Sequence, residues 1–207
     1  MQVLANQLNN EIPFSEEEKG NQLFPVFIKL NKLRTLLIGA GNIGLEKLTA
    51  IVNNSRQAKI TIVAEIVSPE VYALIANYPQ INLKQKSFDV SDLENIDIVF
   101  AATNNDILNE EIRLVTHDKG LLINVADKPD LCDFYLGSIV QRGDLKIAIS
   151  TNGKSPTIAK RLKQILNEGL PAELDETLQN MSALRQTLNG DFSAKVKKLN
   201  KVTKSLI

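Results

Sequence analysis

The residues best suited to chemistry in this sequence are a glycine turn, three groups of polar residues that follow it in chain order, and one isolated aspartate. Gly39-Ala40-Gly41-Asn42-Ile43-Gly44 spaces its glycines as G-x-G-x-x-G, after the apolar run 35–40 and ahead of Leu45, Leu48, Ile51 and Val52 at helical spacing. A strand-to-helix turn of this kind suits a dinucleotide pyrophosphate. Gly39 permits the tight turn, Gly41 lets the backbone approach the phosphates, and Gly44 lets helix and strand pack closely, while the helix N-terminus offers unsatisfied N–H groups. A tight turn without a ligand is the competing reading.

Glu65 lies about twenty positions further on, where an acid at the end of the second strand of such a unit binds the adenosine ribose hydroxyls. With no arginine close behind it, NAD is favoured over NADP; an exposed loop carboxylate fits the same position. Thr103 and Asn104 close another apolar run and are candidates for the nicotinamide side, although Asn104 or Asn105 could equally cap the next helix. Asp127 follows a further run, 121–126. On that edge an aspartate can take a proton while hydride passes to a nicotinamide, or can serve simply as a turn carboxylate before Pro129. Thr151, Asn152, Gly153 and Ser155 form a polar turn able to hydrogen-bond substrate carboxylates. Its Gly-Lys-Ser is not a phosphate loop, because Ala148 stands where the Walker pattern needs glycine.

The elements that must position these groups alternate. Short apolar runs at 35–40, 59–64, 97–103 and 121–126, with an alternating apolar and polar segment at 81–86 that reads as a strand nearer the edge, are separated by segments of helical period, which predicts a Rossmann-type α/β fold with a parallel sheet. Ser68-Pro69 and Ser155-Pro156 each read as a helix cap with proline at the first helical position. Residues 23–28 read as an edge strand, 128–134 as a loop, 145–150 as a strand, and the remainder as three amphipathic helices separated by Pro171 and Asn189-Gly190.

Composition narrows the partners. Lys+Arg and Asp+Glu both total 24, so nothing suggests a nucleic-acid binder. One histidine, His117, and one cysteine, Cys132, cannot build a His/Cys metal cluster or an internal disulfide, and both read as structural. No apolar run approaches membrane-spanning length and no secretory signal is visible, so a cytoplasmic protein is expected.

Several motifs stand in one order: Leu-Ile-Gly-Ala-Gly-Asn-Ile-Gly-Leu-Glu-Lys, Ala-Ala-Thr-Asn-Asn, Ile-Asn-Val-Ala-Asp, Leu-Cys-Asp-Phe and Ile-Ser-Thr-Asn-Gly-Lys-Ser-Pro-Thr-Ile-Ala-Lys-Arg-Leu. Over roughly residues 23–168 the set resembles the precorrin-2 dehydrogenase family, the sirohaem-synthase N-terminal module. That resemblance implies NAD-dependent oxidation of precorrin-2 to sirohydrochlorin, in some members with iron insertion from Fe2+. It places the catalytic aspartate at Asp127 and dinucleotide contacts at Asn42, Ile43, Glu65 and Ile66, with Thr103 and Asn104 nearby. It also implies a homodimer that exchanges elements around residues 131–150.

Two departures are visible: Gly-Ala-Gly stands where the family often has three glycines in succession, and Thr151 stands where it has serine. The sequence contains no methyltransferase domain, so the stand-alone dehydrogenase is the closer match. The expected organisation is a polar tail at 1–22, an NAD-binding domain at 23–130, a dimerisation segment at 131–153 and a helical region at 154–207. From Lys154 onward ten Lys+Arg face five Asp+Glu, a basic balance that suits a tetrapyrrole polycarboxylate and also suits ordinary solvated helix faces. A dinucleotide-sensing regulatory module, which would use the glycine turn without Asp127 chemistry, is the alternative function.

Overall fold

The structure, a computed structural model, describes residues 20–188 and 191–203. The expected tail up to residue 19 and the Asn189-Gly190 break lie outside the described residues, as does the side chain of Val202. The chain divides into two compact units. One runs from Val26 to Leu136, and the other takes the described residues before Val26 together with those from Gly137 onward.

The first unit is a five-stranded parallel sheet. Its strands are β1 (Arg34–Ala40), β2 (Lys59–Val67), β3 (Asn82–Gln85), β4 (Ile98–Ala101) and β5 (Leu122–Val125), in the spatial order β3-β2-β1-β4-β5. The order reverses between β1 and β4, and that switch point is where an open α/β sheet leaves a crevice at its carboxyl edge. Helices α1 (Asn42–Asn54), α2 (Pro69–Ile75) and α3 (Asp106–Asp118) make the crossovers.

The apolar runs are nearly continuous because the central strands are buried on both faces. Leu37, Ile62 and Phe100 pack with Leu48 and Ile51 of α1 on one side, while Leu36, Val63, Val99 and Ile123 pack with Ile112 of α3 on the other. Each such fully buried side chain contributes about 1.5–3 kcal/mol relative to exposure. The two capping expectations hold: α2 starts at Pro69 with the Ser68 hydroxyl accepting from the Val71 N–H, and α4 (Pro156–Gly169) starts at Pro156 with Ser155 accepting from the Ile158 N–H.

The amino edge of the sheet is tied by charge. The Arg34 guanidinium forks onto Asp97, with Nη2–Oδ1 2.6 Å and Nε–Oδ2 2.9 Å, and the Arg34 backbone N–H donates to the same carboxylate at 2.7 Å. These charge-assisted bonds to the ionised form pull the Asp97 carboxyl down to about 2. Because the folded value lies below the unfolded one, the pair's stabilisation is fully present above about pH 4 and is lost as pH falls towards 2. Thermal melts of wild type and Asp97→Asn should therefore differ at neutral pH and converge between pH 4 and 2. A constant difference across that range would count against the pair.

The second unit contains the antiparallel hairpin β6 (Ser138–Arg142) and β7 (Leu145–Ile149), then α4, α5 (Leu174–Thr187) and α6 (Phe192–Thr203). β6 has no counterpart among the strands expected from the sequence. Gly143, at φ +53°, and Asp144 form the two-residue turn, and the Asp144 N–H donates to Asp175 on α5. The expected edge strand at 23–28 is corrected. Those residues join no ladder among the described residues and leave Phe24 and Phe27 exposed, because an apolar run becomes a strand only where a neighbouring backbone is available to pair with it.

Candidate active site

Each glycine of the turn has its own reason to lack a side chain. Gly39 sits at φ +99°, and a Cβ there would come within 2.3 Å of the Ala102 carbonyl oxygen on the neighbouring β4 chain. A Cβ on Gly44 would meet the Gly39 carbonyl oxygen at 2.3 Å, so helix and strand pack directly against one another. Gly41 differs: its Cβ would meet nothing within 4 Å, so the space above it is open. Two of the glycines are required by the fold, whereas no packing in the fold requires the third.

Gly41 is also the N-cap of α1, and it provides no side-chain acceptor. The other helices of this unit are closed, α2 by Ser68 and α3 by Asn105, whose Oδ1 accepts from the Leu108 N–H at 3.1 Å. Helix α1 therefore presents the uncompensated N–H groups of its first turn, from Asn42 and Ile43 onward, at the sheet's switch point, with no acid in that turn to repel an anion. An open Gly41 beside unsatisfied donors fits a dinucleotide pyrophosphate.

β2 runs three residues beyond the expected end at Ala64. Ile38 pairs with Val63 but Ala40 pairs with Val67, so Ala64, Glu65 and Ile66 bulge from the ladder beside the glycine turn. Ile66 is 82% exposed there, an apolar surface suited to the face of an adenine. Glu65 is held in place. Its carboxylate accepts from the Ser87 hydroxyl and its carbonyl from Gln85 Nε2 at 3.2 Å, while Gln85 Oε1 accepts from the Tyr72 hydroxyl at 3.0 Å.

On the far side of the crevice, the Thr103 hydroxyl donates to Asn109 Oδ1 at 2.7 Å and accepts from the Asn105 N–H. Asn105 is the helix cap. Asn104 is exposed, and its side chain makes no hydrogen bond among the described residues.

Asp127 follows β5 at φ +57°, a left-handed backbone that aspartate tolerates better than most residues but that still carries strain. It caps nothing. Its exposed carboxylate makes no hydrogen bond or ion pair among the described residues, and the neighbouring Lys128 pairs instead with Asp106 at 2.9 Å. Strands β1 and β5 are separated by β4, so the carboxyl ends carrying Gly39 and Asp127 lie about 10 Å apart across the edge.

The loop that bears Asp127 is pinned by residues whose importance is invisible in the sequence. Cys132 Sγ accepts from the Val125 N–H at 3.2 Å, Asp133 accepts from the Ile123 N–H at 3.0 Å while pairing with Arg113, and Asn124 Nδ2 donates to the Phe134 carbonyl at 2.8 Å. Burial pushes the Cys132 thiol up, so it stays protonated and structural, as expected.

The 151–155 turn belongs to the other unit. Asn152 at φ +54° and Gly153 at φ +72° are both left-handed, and the Lys154 N–H closes the turn on the Thr151 carbonyl at 3.0 Å. The Thr151 hydroxyl accepts from the Ser155 N–H, and the Ser155 hydroxyl caps α4. Both hydroxyls are thus engaged within the turn, leaving the Asn152 amide, the Gly153 backbone and the Lys154 ammonium outward.

Among the described residues no group of three or more His, Cys, Asp or Glu side chains converges, and no helix is long and apolar enough to cross a membrane. Residues 26–138 match the family described as "Putative NAD(P)-binding", and residues 142–168 match "Sirohaem biosynthesis protein central". Siroheme synthase of Pseudoalteromonas atlantica is 32% identical over 86% of this chain and 38% of its own length. That of Methylococcus capsulatus is 30% identical over 78% and 34%. The chain thus spans about a third of the length of these curated relatives. Among solved structures, SirC, a precorrin-2 dehydrogenase, superposes with a TM-score of 0.71 at 27% identity, covering 87% of this chain and 89% of that one.

Proposed function

The chain belongs to the precorrin-2 dehydrogenase family of sirohaem biosynthesis, and from that premise we propose that it oxidises precorrin-2 to sirohydrochlorin with NAD+, with Asp127 as the base. The observation that carries this reading is the unengaged carboxylate of Asp127, held in a left-handed backbone at the same sheet edge as the open helix α1. A capping or ion-pairing role would have occupied it.

NAD+, when bound, supplies the hydride acceptor. With that acceptor in place, the Asp127 carboxylate would take the proton that leaves the substrate alongside the hydride, so that precorrin-2 and NAD+ would balance as sirohydrochlorin, NADH and H+. Asn42, Ile43 and the backbone of Gly39, Gly41 and Gly44 bind the pyrophosphate. Glu65, oriented by Ser87, takes the adenosine ribose, Ile66 meets the adenine, and Thr103 and Asn104 lie on the nicotinamide side. In the second unit, Asn152 and Gly153, in the turn shaped by Thr151 and Ser155, offer donors to substrate carboxylates. The working form in this proposal is a cytoplasmic homodimer sharing elements around 131–153, and insertion of Fe2+ into the product would draw on the same aspartate.

Anaerobic incubation with precorrin-2 and NAD+ should produce NADH and sirohydrochlorin in equal amounts, followed by absorbance. A regulatory dinucleotide sensor would bind NADH and turn nothing over. Subsequent addition of Fe2+ reports on metal insertion.

A further inference from the structure

Asn109 lies on α3, one turn past the cap, and is 2% exposed. A primary amide on the buried face of a helix has to satisfy its donors and acceptor internally. Because side chains of a helix lean towards its N-terminus, this amide reaches back over the first turn to the residue two before the cap. There it closes a reciprocal pair. Asn109 Oδ1 accepts from the Thr103 hydroxyl at 2.7 Å, and Asn109 Nδ2 donates to the Thr103 carbonyl at 3.2 Å. The Asn105 N–H is joined to the same hydroxyl, so Thr103 and Asn105, both between β4 and α3, are tied to one buried anchor.

That loop forms one wall of the crevice. Its start at Ala102 is the backbone against which Gly39 packs without a side chain, and Asn104, with its unengaged amide, stands at its exposed crest. We propose that Asn109 is a positioning residue of the dinucleotide site, clamping Thr103 so that the β4–α3 loop presents Asn104 and the Thr103 backbone in a fixed conformation before the cofactor arrives. This rests on the dehydrogenase reading for the identity of the ligand, but the clamp itself is a property of the cofactor-free chain.

The test uses Asn109→Ala, Thr103→Val and the double variant of the full chain, with two readouts. In the cofactor-free protein, amide hydrogen exchange at residues 103–105 should accelerate about tenfold or more in each variant, while exchange in β1 and β4 is unchanged. NADH dissociation constants, from ligand fluorescence, should rise about tenfold in each single variant and no further in the double, because both substitutions break the same Thr103 hydroxyl–Asn109 Oδ1 bond. A general structural role would loosen the core strands along with the loop and would make the two losses additive; either result overturns the proposal, as does unchanged NADH affinity in Asn109→Ala. If Asn109→Ala fails to fold, Thr103→Val removes the hydroxyl at near-constant shape and carries both readouts alone. Failure of the wild type to bind NADH would instead defeat the dehydrogenase reading, and the exchange arm would still decide whether the clamp exists.

Discussion

Replacing Asp127 with Asn should reduce the rate of NADH formation by about 100-fold or more while leaving NADH binding and thermal stability near wild type. The magnitude is that of a general base removed from a proton-transfer step, typically about 10²–10⁴. Asparagine is nearly isosteric and tolerates the left-handed backbone at φ +57°, so the loss reports on the carboxylate and not on the turn. A second substitution separates chemistry from conformation further. Asp127→Gly relieves the left-handed backbone and should leave the folded chain as stable or up to about 1 kcal/mol more stable, while being as inactive as the Asn variant. Turnover retained in both variants would remove Asp127 from the mechanism, and the proton would then need another acceptor.

The second large effect contrasts two glycines two residues apart. Gly39→Ala places a Cβ 2.3 Å from the Ala102 carbonyl oxygen at φ +99°, and should cost about 3 kcal/mol of stability, visible in urea unfolding. Gly41→Ala meets no atom within 4 Å and has an ordinary negative φ, so the chain should lose no more than about 1 kcal/mol, the usual penalty for alanine at an N-cap. NADH affinity should nevertheless fall by about tenfold or more, because the new methyl occupies the approach of the pyrophosphate. Stability and affinity thus respond in opposite order at the two positions. Equal affinity in wild type and Gly41→Ala would mean that the phosphates lie elsewhere.

The sheet and its glycine turn are legible in the sequence because their signals are local. Buried parallel strands are continuous apolar runs, and Ser68-Pro69 and Ser155-Pro156 announce helix starts within two residues. The hairpin strand β6 is not legible. Ser138–Arg142 is mostly half-buried, so its residues show no clean alternation, and the Gly143-Asp144 turn is short enough to pass for part of a loop. Residues 23–28 fail in the other direction. Their composition is that of a strand, but pairing depends on a partner the sequence does not name. Within the site, the candidates at the ends of strands were visible by position, whereas Asn109, Ser87, Asn124 and Asp133 act through contacts across 6 to 22 residues of chain. A polar residue on the apolar face of α3, beside Leu108 and Ile112, was the one available hint of Asn109.

Helix α1 begins without a capping side chain, although both other helices of its unit have one at that end. In a folding equilibrium, an anion bound there would do the work of the missing serine or asparagine, and only while its concentration held. At 100 times its dissociation constant a ligand adds about 2.7 kcal/mol to the folded state. Under the proposed function, the persistence of this chain against unfolding and proteolysis would be coupled to the supply of dinucleotide around it, and the unsupplied chain would be the more perishable one.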